Sequence, residues 1–308
     1  MLETTVNKET AKLGFIGLGL MGSRLARRLH TLGWKVEAWN RNPEPARALK
    51  QEGIGSVRAV AQLAASSDVL ISCLANDTAV HSVYFDRDGV FSEVKPGTII
   101  VEMSTISPEL SQRLHDRAAR RGVHFLDVAI SGSTPAVDAG TLTLLAGGDR
   151  TTFERCIPLY ESLAKQWFLI GPGASGIQMK LVVNLLLGVN MQAIAEGISL
   201  GEHLGIDRSV LLDVLSKTAV IAPALVGKFQ KIKDNDYAPQ FPMRLMSKDM
   251  DLVAEAASIA GAELPVTNVA HSLLSAAVAY SGDLDLSAIT PFVADLSVAM
   301  RRPDEKVA

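Results

Sequence analysis

The sequence has little that would tie it to an oxidising compartment, a metal or a polyanion. Two cysteines, Cys73 and Cys156, in 308 residues are too few for a disulfide framework or a zinc cluster. Cys73 lies in the apolar run VLISCL, where core burial is the default for a thiol. The six histidines, His30, His81, His115, His124, His203 and His271, are scattered without a spaced partner, so structural roles are expected and no metal set emerges. A net charge of -3 and a pI near 6.1 give no global basic field, which makes nucleic acid a poor partner. Arg24, Arg27 and Arg28 stand at helical spacing and predict a solvated helix face. The segment MLETTVNKETAK carries acids and no apolar stretch, so it predicts a frayed lead-in rather than a signal peptide. No repeat or low-complexity tract is present. The apolar stretch 181–204 is interrupted by Asn184, Asn190, Gln192, Glu196 and Glu202, which disfavours a membrane span. A soluble protein of the reducing cytoplasm is expected.

What is present is apolar residue in quantity: 48% of the chain is hydrophobic, enough for a full core, and the length favours two domains. From Lys12 to about Ile170, β-rich runs (KLGFIG, KVEAW, DVLISCL, TIIVEM, HFLDVAI) alternate with helical segments (MGSRLARRLHTLG, PEPARALKQ, TAVHSVYF, PELSQRLHDRAARRG). That alternation is the signature of βαβ units around a parallel sheet. Beyond GPGASG strand-like runs disappear, and helices are predicted over 177–204, 207–218, 245–260 and 266–280. The reading is an α/β domain over 12–173 followed by an all-helical domain over 174–302.

Gly17-Leu18-Gly19-Leu20-Met21-Gly22 is a G-x-G-x-x-G that follows one predicted strand and opens a helix leading to the next. The first glycine permits the tight turn, the second lets backbone approach a pyrophosphate, and the third allows helix and strand to pack closely. Amides at the helix N-terminus then face the phosphates. This makes the first domain Rossmann-type. The second strand ends in Trp39-Asn40-Arg41-Asn42, where an NAD-binding chain usually places an acid for the ribose 2′-hydroxyl. An amide and a guanidinium stand there instead, which favours NADP; a surface arginine at a strand end is the plainer alternative.

Ser131-Gly132-Ser133, after a strand, supplies small residues and N–H groups suited to a substrate carboxylate, although an ordinary turn uses the same residues. Ser104-Thr105 is likewise either a strand-end turn or a cofactor contact. Lys180 and Asn184 share one face of an otherwise apolar helix, and Lys248 follows in MSKDM. A buried cation needs a partner or a job, whereas lysines that snorkel or lie exposed need neither.

Taken together, GFIGLGLMG, VEMST, the 127–148 block and the run G-x-x-x-K-L-V-V-N resemble the β-hydroxyacid dehydrogenase family over nearly the whole chain. Asn40-Arg41, YFDRDGVF, SGSTPAVDAGTL, FPMRLMSKDM and GDLDLSAI are similar to its glyoxylate and succinic semialdehyde reductase subgroup. Ser133 matches that subgroup. Val128-Ala129-Ile130 departs from the family's Ala-Pro before Val-Ser-Gly, which implies a different pocket floor.

The resemblance implies that Lys180 is the catalytic lysine and general acid; the imine reductases, similar over the dinucleotide domain, generally replace that lysine, so its presence argues against them. Ser131, Gly132, Ser133, Asn184 and Lys248 would bind substrate. Gly17, Leu18, Gly19, Leu20, Met21, Gly22, Asn40, Arg41, Leu74, Thr105 and Lys248 would bind NADPH. An ammonium aimed at the carbonyl oxygen stabilises and protonates the alkoxide, and a lysine of ordinary pKa, about 10.4, already carries that proton at neutral pH. Reduction of small aldehyde acids by a homodimer or homotetramer is expected. The alternatives are a 3-hydroxyisobutyrate dehydrogenase working oxidatively and a non-catalytic dinucleotide-binding module.

Overall fold

The structure, a computed structural model, describes residues 5–299. They form two compact bodies, 1–182 and 183–308 by residue number, so the division falls inside a helix. The domain boundary expected at residue 302 lies outside the described residues.

In the first body, eight strands form one sheet: β1 (Lys12–Ile16), β2 (Lys35–Trp39), β3 (Gly55–Ser56), β4 (Val69–Ser72), β5 (Ile99–Glu102), β6 (His124–Ser131), β7 (Leu142–Gly148) and β8 (Ala164–Gly171). Their spatial order is β3-β2-β1-β4-β5-β6-β7-β8. Nine helices of this body separate them: α1 (Leu20–Thr31), α2 (Pro43–Gln51), α3 (Val60–Ser66), α4 (Asp77–Phe85), α5 (Val90–Glu93), α6 (Pro108–Ala119), α7 (Thr134–Ala139), α8 (Arg150–Arg155) and α9 (Ile157–Leu163). Every residue of β4 and β5 is buried, as expected of parallel strands covered on both faces. The strand order reverses between β1 and β4, and the crevice at their carboxyl ends is where such sheets bind ligands.

The sheet departs from the all-parallel expectation at one pairing: β7 runs antiparallel to β6, with Ser131 opposite Thr143. The connection 132–141 holds only the six-residue α7, too little chain for a crossover between parallel strands. The lead-in also differs, because Val6 is buried and its N–H donates to the Arg155 carbonyl at 2.9 Å. Nor are the three α1 arginines a simple solvated face. Arg24 pairs with Asp138 at 2.6 Å and Arg27 with Glu52 at 2.8 Å, while Arg28 Nε donates to the Ser162 carbonyl at 2.6 Å, fastening α1 to α9.

The second body is helical: most of α10 (Ser175–His203), then α11 (Arg208–Leu215), α12 (Pro223–Asp234), α13 (Met243–Ala260), α14 (Pro265–Ser281) and α15 (Ile289–Ala299). Among the described residues its β structure is a single bridge between Pro242 and Asp285. Met191, Ile194 and Ile198 of α10, Phe229 and Ile232 of α12, and Met246 and Met250 of α13 share one core. Two α-helices of this body escape the sequence reading, α12 and α15. In α12 the apolar period is masked because Lys228 and Lys231 occupy buried positions.

Candidate active site

The glycine-rich turn leaves the end of β1. Gly17 has φ +92°, and a Cβ there would stand 2.8 Å from Leu74 Cδ2. A Cβ on Gly22 would overlap the Gly17 carbonyl oxygen, so helix and turn can touch only without one. Gly19 is the opposite case: nothing lies within 4 Å of its missing Cβ. The space in front of the middle glycine is therefore open, and α1 begins there with no side-chain cap on its N-terminal amides. An uncapped helix start facing open space is the donor set that a pyrophosphate requires, so these residues fit a dinucleotide. Leu20 is exposed and Met21 half-buried at the same helix start.

Asn40, at the end of β2, uses its side chain within the chain. Its Oδ1 accepts from the Leu18 N–H at 2.9 Å, and its Nδ2 donates to the Asn42 carbonyl at 2.8 Å. It thus braces the glycine turn from the side, and Arg41 beside it is exposed. Leu74 and Thr105 follow the ends of β4 and β5. Between them lies a residue the sequence reading missed, Glu102, which is fully buried and holds Leu74 through Ser104. Its carboxylate accepts from the Ser104 N–H at 2.7 Å and from the Ser72 hydroxyl at 2.5 Å. Ser72 Oγ in turn lies 2.6 Å from the Tyr84 hydroxyl, and Ser104 Oγ accepts from the Leu74 N–H at 2.7 Å. Burial pushes the Glu102 carboxyl above its ordinary value, against hydrogen bonds from Ser104, Ser72 and Tyr84 that favour the anion. The neighbouring Cys73 thiol, half-buried as a residue, is pushed up to about 12 by burial and then by Glu102, which disfavours its thiolate.

Ser131 is the last residue of β6, and α7 starts at Thr134, so the expected loop is only Gly132 and Ser133. Gly132 has φ +137° and its Cβ would stand 2.7 Å from Leu142 Cδ2, which reserves the position for glycine. Val128, Ala129 and Ile130, where the wording departs from the family, are all buried in the sheet. Lys180 lies in the second turn of α10 with 9% of its surface exposed. The start of that helix is held by Asp127 of β6, also fully buried. Asp127 Oδ1 accepts from the Ala174 N–H at 2.9 Å and lies 2.7 Å from His115 Nε2, while Oδ2 accepts from the Ile177 N–H at 2.9 Å.

In the second body, Asn184 is fully buried and its Nδ2 donates to Asp249 Oδ2 at 2.5 Å. Asp249 Oδ1 pairs with Lys248 Nζ at 2.6 Å. Asp249, which the sequence reading passed over, therefore links Asn184 to Lys248. Asn184 Oδ1 is buried with no hydrogen-bond partner among the described residues, which leaves an acceptor for a ligand hydroxyl. Among the described residues no three His, Cys, Asp or Glu side chains gather as a metal set.

A doubly wound sheet with an open glycine turn at its switch point, followed by a helical body, defines a dinucleotide-dependent oxidoreductase. Comparison with known proteins specifies the class. Residues 12–171 match the family model for the NAD binding domain of 6-phosphogluconate dehydrogenase, and residues 174–293 match that for the NAD-binding region of NADP-dependent 3-hydroxyisobutyrate dehydrogenase. The chain is 32% identical over 279 residues to glyoxylate/succinic semialdehyde reductase 1 of Arabidopsis thaliana, spanning 90% of this chain and 96% of that one. It is 33% identical over 284 residues to 2-(hydroxymethyl)glutarate dehydrogenase of Eubacterium barkeri, spanning 92% and 94%. The crystal structure of 3-hydroxyisobutyrate dehydrogenase from Salmonella typhimurium superposes with a TM-score of 0.83 at 29% identity, covering 92% of this chain and 99% of that one. The chain belongs to the β-hydroxyacid dehydrogenase family, whose members are NAD(P)-dependent enzymes acting on CH–OH groups.

Proposed function

We propose that this enzyme reduces small aldehyde acids such as glyoxylate and succinic semialdehyde to hydroxy acids with NADPH, and that Lys180 is its general acid. The observation that carries the reading is the place of Lys180, with 9% of its surface exposed, in the second turn of α10, three residues beyond the Ile177 N–H that Asp127 holds. A lysine drawn so far into the fold is consistent with a chemical task. When bound, the reduced nicotinamide supplies the hydride. Ser131, Gly132 and Ser133 hold the substrate carboxylate through hydroxyl and N–H donors. As hydride reaches the aldehyde carbon, the carbonyl π pair moves to oxygen, and Lys180 Nζ donates its proton there. The lysine is left neutral and regains a proton from solvent. Stabilising that developing charge and protonating it lower the barrier together.

Arg41 supports the NADPH preference, because an exposed guanidinium takes the place of the acid that would repel a 2′-phosphate. Asn184 offers Oδ1 to a substrate hydroxyl, and Lys248 is assigned to substrate and cofactor through the resemblance. Exposed apolar side chains of the second body, Leu200 on α10, Leu204 just after its end, and Val269 and Tyr280 on α14, support association as a homodimer or homotetramer. Two free cysteines are consistent with a cytoplasmic setting.

The test is a steady-state panel of glyoxylate, succinic semialdehyde and 3-hydroxyisobutyrate with NADPH, NADP+, NADH and NAD+. The highest kcat/KM is expected for an aldehyde acid with NADPH. A higher value for 3-hydroxyisobutyrate oxidation would replace this reading with the oxidative dehydrogenase.

A further inference from the structure

Asp127 has a different kind of environment from the other buried carboxylates. It stands on β6 four residues before Ser131, so both side chains leave the same side of that strand, about 13 Å apart along it. Its two oxygens accept from the N–H groups of Ala174 and Ile177, the entry of α10. Lys180 follows Ile177 by three residues, one short turn or about 4.5 Å further along the axis. Helical side chains lean toward the N-terminus, so the lysine stem points back toward the end that Asp127 grips.

The grip is close. A Cβ on Gly176 would stand 2.5 Å from the Leu145 carbonyl oxygen and 2.6 Å from that of Asp127, and a Cβ on Gly147 would stand 2.6 Å from Asp127 Oδ1. Two glycines thus let α10 come down onto β6 and β7 until backbone meets backbone. His115 of α6 fixes the carboxylate from the other side at 2.7 Å, with its own ring packed edge-on against Phe125, centroid to centroid 4.7 Å.

We infer that Asp127 is a positioning residue: it sets where the Lys180 ammonium stands relative to the carboxylate-holding end of β6. One strand then carries both the substrate anchor, Ser131, and the anchor of the proton donor. Their spacing is fixed by covalent backbone and two hydrogen bonds rather than by side-chain packing. The inference rests on the reading of Lys180 as general acid. A chemical group misplaced by about 1 Å can lose about a hundredfold in rate.

The experiment compares Asp127→Asn, His115→Gln, Gly176→Ala and Lys180→Ala in the full chain. It measures kcat and KM for glyoxylate and succinic semialdehyde, NADPH Kd by fluorescence titration, and melting temperature. Asp127→Asn turns an NH2 toward a backbone N–H and spoils one of the two helix contacts. Its kcat is expected to fall about 10- to 100-fold, with NADPH Kd changing less than about threefold and aldehyde KM little changed. Gly176→Ala adds a methyl that would meet two backbone carbonyl oxygens, so it is expected to lower the melting temperature as well as kcat. His115→Gln, which removes only the outer brace on the carboxylate, is expected to show a smaller kcat-selective loss and carries the test if Asp127→Asn does not fold, its wild-type kcat then overturning the inference. Wild-type kcat in a folded Asp127→Asn or Gly176→Ala variant overturns the inference, as does a parallel loss of NADPH affinity, which marks a general structural role. Lys180→Ala separates the two levels. If it retains turnover, the catalytic reading falls and the inference with it. If it is inactive while Asp127→Asn works normally, only the inference falls.

Discussion

Lys180, Arg41 and Asn40 show how differently single residues carry function here. Lys180→Ala should lower kcat by about 10² to 10⁴-fold, the range for a lost general acid, while NADPH titration stays near wild type because the ammonium acts on charge that exists only in the transition state. A variant keeping a tenth or more of kcat would leave Lys180 as a snorkelling helix residue. Arg41→Ala should raise the NADPH KM about tenfold and leave NADH alone. That is the lower end for a charge-assisted hydrogen bond, because the guanidinium is exposed. The glycines were legible in the sequence because Gly17 and Gly22 have a residue type that their positions demand, whereas Lys180 was legible only as a cation set in an apolar run. Asn40 was legible as a departure from the usual acid, but its bonds to Leu18 and Asn42 were not, since they depend on how β2 comes to rest beside β1. Glu102, Asp127 and Asp249 stayed invisible for the same reason. A carboxylate becomes a brace only when the fold delivers donors to it from far along the chain, as Ser72 to Glu102, Ala174 and Ile177 to Asp127, and Asn184 to Asp249.

At the scale of elements, the βα turn can be tested by two substitutions of the same kind. Gly19→Ala meets open space and should leave the melting temperature unchanged while weakening NADPH binding at least about tenfold, the cost of losing close backbone approach to a phosphate. Gly22→Ala meets the Gly17 carbonyl and should lower stability as well as binding. Equal effects of the two would mean that the turn is only a tight corner. Elements with a clear apolar period were read within a few residues: the 245–260 prediction is Met243–Ala260, and 266–280 is Pro265–Ser281. β7 was missed as a strand: LTLLAGG was read only as part of the 127–148 block, and nothing in its composition states its direction. The direction is set by the short connection before it. Helix α12 was hidden by buried lysines, Lys228 paired with the remote Asp285 and Lys231 with Asp236 just past the helix end.

For the whole molecule, two buried carboxyls bend the pH dependence of stability in opposite senses. Burial pushes Asp285 up, but the Lys228 charge at 2.8 Å and hydrogen bonds from Lys228, Phe241 and Ser287 outweigh it and hold the carboxyl below its ordinary 3.8. Its stabilisation is therefore present above pH 3.8 and lost as pH falls through the depressed folded value. Hydrogen exchange in α12 and in the segment after Asp285 should accelerate on acidification below that point. Asp285→Asn should cost about 3 to 5 kcal/mol at neutral pH by stranding Lys228, and should flatten the acid limb. Glu102 has a raised folded value, so its contribution is full below the ordinary 4.5 and declines as pH rises through the folded value. Glu102→Gln should therefore gain on the wild type, in urea midpoint, as pH rises. An unchanged difference across the range would mean that the buried carboxyl keeps its ordinary titration.

The joint at Asp127 has one more implication, for recombination between relatives. On the helix side it is made by the N–H groups of Ala174 and Ile177, which any residue but proline supplies, and by a glycine at 176. A chimera with its crossover at Gly173 thus inherits the grip whatever the downstream half, provided that half brings its own glycine two residues into the helix. Helical halves of relatives that differ in substrate preference should be exchangeable there with soluble expression retained, whereas a crossover within β6 would part Asp127 from Ser131 and mix two registers. The enzyme's modularity would then reside at a seam where one side-chain carboxylate, Asp127, and one glycine, Gly176, are the side-chain requirements and the rest is main chain.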